Sequence, residues 1–179
     1  VGARFPRVAC WEKREVTEPA LLGIAYEQID AHTFVEPNRD YRSTFFKSFF
    51  ELNDRYHYEV WLDLHQTEFV NSDRNCDVHL RTCLYDLPAV MQDKHQALGE
   101  ALHACWRRAG GVPRDTPSVP YQNNEIQKAF LNTVWRPISE KMVHAVTEIQ
   151  NNNPKTPNEM QVHLQLAALM ETLHWMRVS

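Results

Sequence analysis

Tyr58-Glu59-Val60-Trp61-Leu62-Asp63-Leu64-His65 is the stretch on which the fold turns. It is rich in β-branched and aromatic residues and too short for a stable helix, so it reads as a buried strand that ends at His65. Downstream, Cys76–Leu84 sets Val78, Leu80, Thr82 and Leu84 against Asp77, His79, Arg81 and Cys83. That two-residue period predicts a half-buried strand. Met142–Ile149 reads as a third, with Val143, Ala145, Thr147 and Ile149 on one side and His144, Val146 and Glu148 on the other.

Helices fill the intervals. Phe45, Phe46, Phe49, Phe50 and Leu52 recur at helical spacing after Ser43 and Thr44, either of which can cap, so a helix with a phenylalanine core stripe is expected over 44–56. Asp86 as cap and Pro88 in the first turn launch a second, apolar along one side until Gly110-Gly111 stops it. Residues 112–124, with three prolines, read as a long loop of the functional kind. Around Ile126–Leu131 a helical turn is expected before Pro137. Thr156-Pro157-Asn158-Glu159 has the form of a capping box for a last helix through Trp175. Ahead of all this lie a helix expected near Ala20–Ile29 and a strand-like run at Phe34-Val35. Alternating strands and helices predict one α/β domain over residues 1–179, with a mixed central sheet and helices on both faces.

Composition narrows the function classes. The chain has 179 residues, 43% apolar and 23% charged, which is the balance of a globular domain. A formal charge of -4 and scattered arginines argue against nucleic acid as a partner. The absence of a long apolar run argues against a membrane span. With only five glycines, neither a dinucleotide turn nor a phosphate loop can be assembled. The four cysteines never form C-x-x-C and sit in apolar patterns, so free buried thiols and a reducing compartment are expected.

In such folds ligands gather where strands run out at their carboxyl ends, which directs attention to His65 and Glu148. A strand-end imidazole suits a metal, and Asp63, two residues back on the same face, can fix its tautomer. Asn38-Arg39 can grip a carboxylate through a planar guanidinium, or form a surface turn with an ion pair. Glu148, in an otherwise apolar strand, must reach water or have its pKa raised, as a general base requires. Tyr121 on the proline-rich loop is a candidate to cover a substrate, Glu125 to line a cleft, while Glu171 falls on the last helix as a surface residue.

Pro37-Asn38-Arg39-Asp40-Tyr41, then Trp61-Leu62-Asp63-Leu64-His65, then Ala145-Val146-Thr147-Glu148-Ile149 resembles, in that order, the zinc carboxypeptidase superfamily, which includes aspartoacylase-like deacylases. The resemblance implies a carboxypeptidase-like fold and hydrolysis of an amide bond next to a free carboxylate, in a peptide or an N-acyl amino acid. It implies substrate binding by Asn38 and Arg39, a zinc ligand in His65 and a base in Glu148. The family often places a tyrosine on a mobile loop, the part Tyr121 would take. Its other two zinc ligands come from a His-x-x-Glu motif upstream of the Asn-Arg pair, and residues 1–37 hold none; the chain's single occurrence is His65-Gln66-Thr67-Glu68. Catalytic zinc takes three protein ligands and an open position. Together with Val1 as first residue, this leads to two expectations: a portion of a longer enzyme, or a metal-free binding domain on the same fold.

Overall fold

A computed structural model describes residues 10–12, 27–67, 72–151 and 154–179. Its contacts divide the chain into two compact units, Val1–Tyr58 and Glu59–Ser179.

In the first unit, β1 (Cys10–Glu12), β2 (Glu27–Gln28) and β3 (Thr33–Val35) form a small antiparallel sheet in the order β1-β3-β2. Asp30 makes the β2–β3 turn by accepting the backbone N–H groups of His32 and Thr33 at 2.8 Å each. The strand at Glu27–Gln28 replaces the end of the helix expected near Ala20–Ile29, the rest of which lies outside the described residues. Helix α1 (Thr44–Tyr56) has the expected bounds, with Ser43 as N-cap accepting from the Phe46 N–H. Its phenylalanine stripe is less of a core than the spacing implies: Phe46 is buried, whereas Phe45 and Phe50 are exposed.

The second unit is built on β4 (Val60–Thr67), β5 (Cys76–His79) and β6 (Val143–Gln150), in the order β4-β6-β5. β6 runs parallel to β4 and antiparallel to β5, so the sheet is mixed, as the alternation predicts. β5 is shorter than the period-two pattern implies. The chain turns at Thr82 and enters a short 3-10 helix at Leu84–Asp86. Leu80, Thr82, Cys83 and Leu84 are all buried, because both sides of this corner face protein and not one side alone.

Helix α2 (Ala89–Arg108) begins two residues later than its sequence signal: Pro88 is the N-cap, and Asp86 instead accepts from Asn132 Nδ2. Helix α3 spans Glu125–Ser139 with Pro137 inside it, where only a turn ending before the proline was expected. Pro137 sits in the last turn, where it removes the N–H that would bond to the Thr133 carbonyl, and burial of Leu131, Val134, Trp135 and Ile138 carries the helix past it. Helix α4 (Asn158–Val178) is capped by Pro157. The Thr156 hydroxyl donates to Gln150 Oε1 in place of the capping box, tying the helix entry to the end of β6.

Side chains alternate across the sheet, and each face meets a different helix. Thr147 and Gln66 bond to Gln165 and Gln161 of α4, so that face lies under α4. The opposite face presents Trp61 and His144 to Trp135 of α3, with ring centroids 5.3 and 4.7 Å from the tryptophan. Trp106 of α2 donates to the Leu164 carbonyl of α4 at 2.8 Å. Among the described residues no helix is long and apolar enough to cross a membrane.

Candidate active site

Beyond Trp61 and His144, the face under α3 continues toward the carboxyl ends of β4 and β6 as a strip of ionisable groups. The parallel register sets His65 directly opposite Glu148, and the antiparallel register sets Asp77 opposite Glu148 from the other side. His65 Nδ1 lies 3.9 Å from Glu148 Oε1, and His79 Nδ1 lies 3.7 Å from the same oxygen. Each imidazole has its own carboxylate behind it, Asp63 at 3.0 Å from His65 Nε2 and Asp77 at 3.8 Å from His79 Nε2. Two Asp-x-His segments on flanking strands thus close on one central glutamate.

Arg81 anchors the strip at its inner end. Its Nη2 donates to Asp63 Oδ2 at 2.7 Å, its Nε donates to His144 Nε2 at 3.0 Å, and its guanidinium lies 3.6 Å from the centroid of the Trp135 ring. Arg81 Nε lies 3.1 Å from His144 Nδ1 as well, and arginine has no acceptor, so the ring must accept and cannot be doubly protonated. Burial, reinforced by the Arg81 charge, holds the His144 pKa well below its ordinary value, in agreement with a neutral ring. At the outer end Asp77 is fully buried and accepts from Arg114 Nε at 2.6 Å and His103 Nε2 at 3.1 Å.

Charge is distributed unevenly between the two Asp-x-His segments. The Asp63 hydrogen bond raises the His65 pKa against the opposing effect of burial. Burial would raise Asp63 in turn, but the His65 hydrogen bond and the Arg81 charge overrule it and hold the carboxyl below its usual range. His79, more deeply desolvated, is pushed down to about 4 despite Asp77. The cluster therefore offers Glu148 one imidazole whose pKa its carboxylate raises and one that stays neutral at neutral pH.

Of the residues singled out by sequence, the structure brings together His65 and Glu148. Asn38 and Arg39 belong to the other unit, in the turn at 37–39, where Arg39 Nε pairs with Glu36 Oε1 at 3.2 Å. Tyr121 lies on the loop before α3 with a positive φ of 62°, and its carbonyl accepts from the Asn124 N–H. Glu125 is the first residue of α3 and exposed, and Glu171 pairs with Arg108 at 2.9 Å on α4. Asp77, His79, Arg81 and His144 escaped the sequence reading. The repeat of Asp63-Leu64-His65 by Asp77-Val78-His79 is a signal for the first two, which the two-residue period alone does not single out.

His65 has the form of a metal ligand, one ring nitrogen held by a carboxylate and the other turned into the cluster. Among the described residues, however, no group of three or more His, Cys, Asp or Glu side chains is arranged to hold a metal ion. The residues described thus fit one position of a zinc site and not the set of three that a catalytic ion takes. No family model, curated protein or solved structure matches the chain.

Proposed function

We propose that this chain carries the general base and one metal ligand of a zinc-dependent, carboxypeptidase-like hydrolase that cleaves an amide bond next to a free carboxylate. The observation that carries the reading is the register of two strands. His65 and Glu148 stand opposite each other at the carboxyl ends of parallel neighbours, with Asp63 behind the imidazole. This is the meeting of imidazole and carboxylate that the resemblance requires of segments more than eighty residues apart.

In this reading Glu148 takes a proton from the attacking water and returns it to the leaving amine, the step a positioned carboxylate performs. Asp63, held by Arg81, keeps His65 in one tautomer with Nδ1 toward the reacting side. The resemblance assigns the grip on the substrate carboxylate to Asn38 and Arg39. Zinc, when bound, supplies Lewis acidity and a water of lowered pKa. A deacylase of small N-acyl amino acids would use the same residues.

The test compares the protein at its natural length with its Glu148→Gln and His65→Ala variants, by zinc content after reconstitution and by turnover of C-terminally free peptides and N-acyl amino acids. The expected result is loss of turnover with zinc retained for Glu148→Gln, and loss of both for His65→Ala. A zinc-treated protein of natural length that binds no metal and cleaves neither substrate class overturns the proposal in favour of a metal-free binding domain.

A further inference from the structure

Helix α4 has two apolar faces, and among the described residues of its own unit only one is covered. Leu164, Ala168 and Thr172 are buried on the side toward the sheet and α2. Val162, Leu166, Leu169, Leu173 and Met176 form a second stripe, each between 41% and 57% exposed. Their spacings of four, three, four and three residues are those of a coiled-coil seam, two apolar positions per seven. With the adjoining Met170, covering this stripe on two copies removes on the order of 1,100 Å² from water, just above the ~1,000 Å² a specific interface needs.

We propose that this stripe is a homodimer interface in which α4 packs antiparallel on α4 of a second copy, about a two-fold axis near Leu169. Charge selects the orientation. Glu159 and Arg177, both exposed, are eighteen residues apart, or five turns at 3.6 residues per turn, and so lie on the same flank of the stripe. Antiparallel packing brings equal flanks together, which sets Glu159 against Arg177 of the second copy, twice by symmetry. A parallel pair would leave these charges at opposite ends of the interface. Opposed helix dipoles favour the same arrangement.

Sedimentation equilibrium of the full chain reads the outcome, with circular dichroism as the check on folding. The wild type is expected to be a reversible dimer, and Leu166→Glu/Leu173→Glu a folded monomer. Glu159→Arg or Arg177→Glu alone should weaken the dimer about ten-fold, and the double reversal should restore it to within about three-fold. A wild type that stays monomeric at 100-fold the concentrations of an ordinary micromolar dimer overturns the proposal, since the stripe is then covered within one chain or by another partner. A dimer insensitive to Leu166→Glu/Leu173→Glu overturns it too, and charge reversals that fail to compensate overturn the antiparallel arrangement.

Discussion

His65 and Glu148 face each other across two hydrogen-bonded parallel strands, with 3.9 Å between Nδ1 and Oε1, although 83 positions separate them in the chain. On the proposed reading Glu148→Gln, which keeps the shape of the side chain and removes its charge, should lower turnover about 10²- to 10⁴-fold, the usual share of a general base, with the fold retained by circular dichroism. Unchanged turnover on every cleaved substrate would remove Glu148 from the chemistry.

Arg81 joins Asp63, His144 and Trp135, and its removal leaves Asp63 as a mostly buried carboxylate without its cation. Arg81→Ala should cost about 3–5 kcal/mol in urea unfolding. Arg81→Lys should recover only part of this, because an ammonium cannot both stack on Trp135 and donate to two partners in one plane. Full recovery by lysine would show that charge alone, and not the planar fork, holds the inner end of the strip.

Acidification is predicted to destabilise the fold well before the carboxylates titrate. Burial depresses His79 to about 4 and lowers His95 and His144 as well, while an unfolded histidine titrates near 6.5. Between those values the unfolded chain binds protons that the folded chain lacks, so stability falls as pH drops below about 6.5. His65 acts in the opposite sense, since its hydrogen bond to Asp63 raises its pKa and adds stability on the acid side. Three rings against one make the net slope positive. Urea unfolding at pH 8, 6.5 and 5 checks this, and greater stability at pH 5 than at pH 8 would contradict the neutral burial of His79, His95 and His144.

Gly111 and Gly110 are adjacent, yet their substitution should fail for different reasons. A Cβ on Gly111 would lie 2.8 Å from Cys76 Sγ and 3.1 Å from the Trp106 carbonyl oxygen, whereas one on Gly110 meets open space at a φ of +84°. Gly111→Ala should cost about 1–3 kcal/mol through overpacking. Gly110→Ala should cost about 1–2 kcal/mol through left-handed strain, and asparagine should be better tolerated there than alanine. The same packing desolvates Cys76, whose thiol is pushed up to about 12, so it should resist iodoacetamide at pH 8 until the protein unfolds.

Much of this architecture was legible because it is written in local patterns. Ser43 and the phenylalanine spacing place α1, and the apolar runs around Trp61 and Ala145 place β4 and β6. Errors fall where tertiary burial outweighs a local signal. Pro137 marks a helix end by its own chemistry, but the buried face of Trp135 and Ile138 extends the helix through it. Thr156 has a capping hydroxyl that the Gln150 side chain claims first. At the site, an imidazole near a strand end and a carboxylate within a strand are readable as isolated oddities, although β4 runs two residues past His65 to Thr67 and is mostly half-buried where a buried strand ending at His65 is expected. That Asp77-Val78-His79 would be laid against the same glutamate is not readable, because an alternating strand does not state which of its faces looks outward.

The order β4-β6-β5 places the middle strand last in the chain. During synthesis the first two strands emerge with no neighbour to join, since each pairs with residues 143–150 and not with the other. Neither half of the sheet can be kept as a partial gain, and closure must wait on contacts that span more than sixty residues. Residues 59–179 should accordingly fold late and as a single event, and nascent chains cut before residue 143 should need chaperone protection of their unpaired strands.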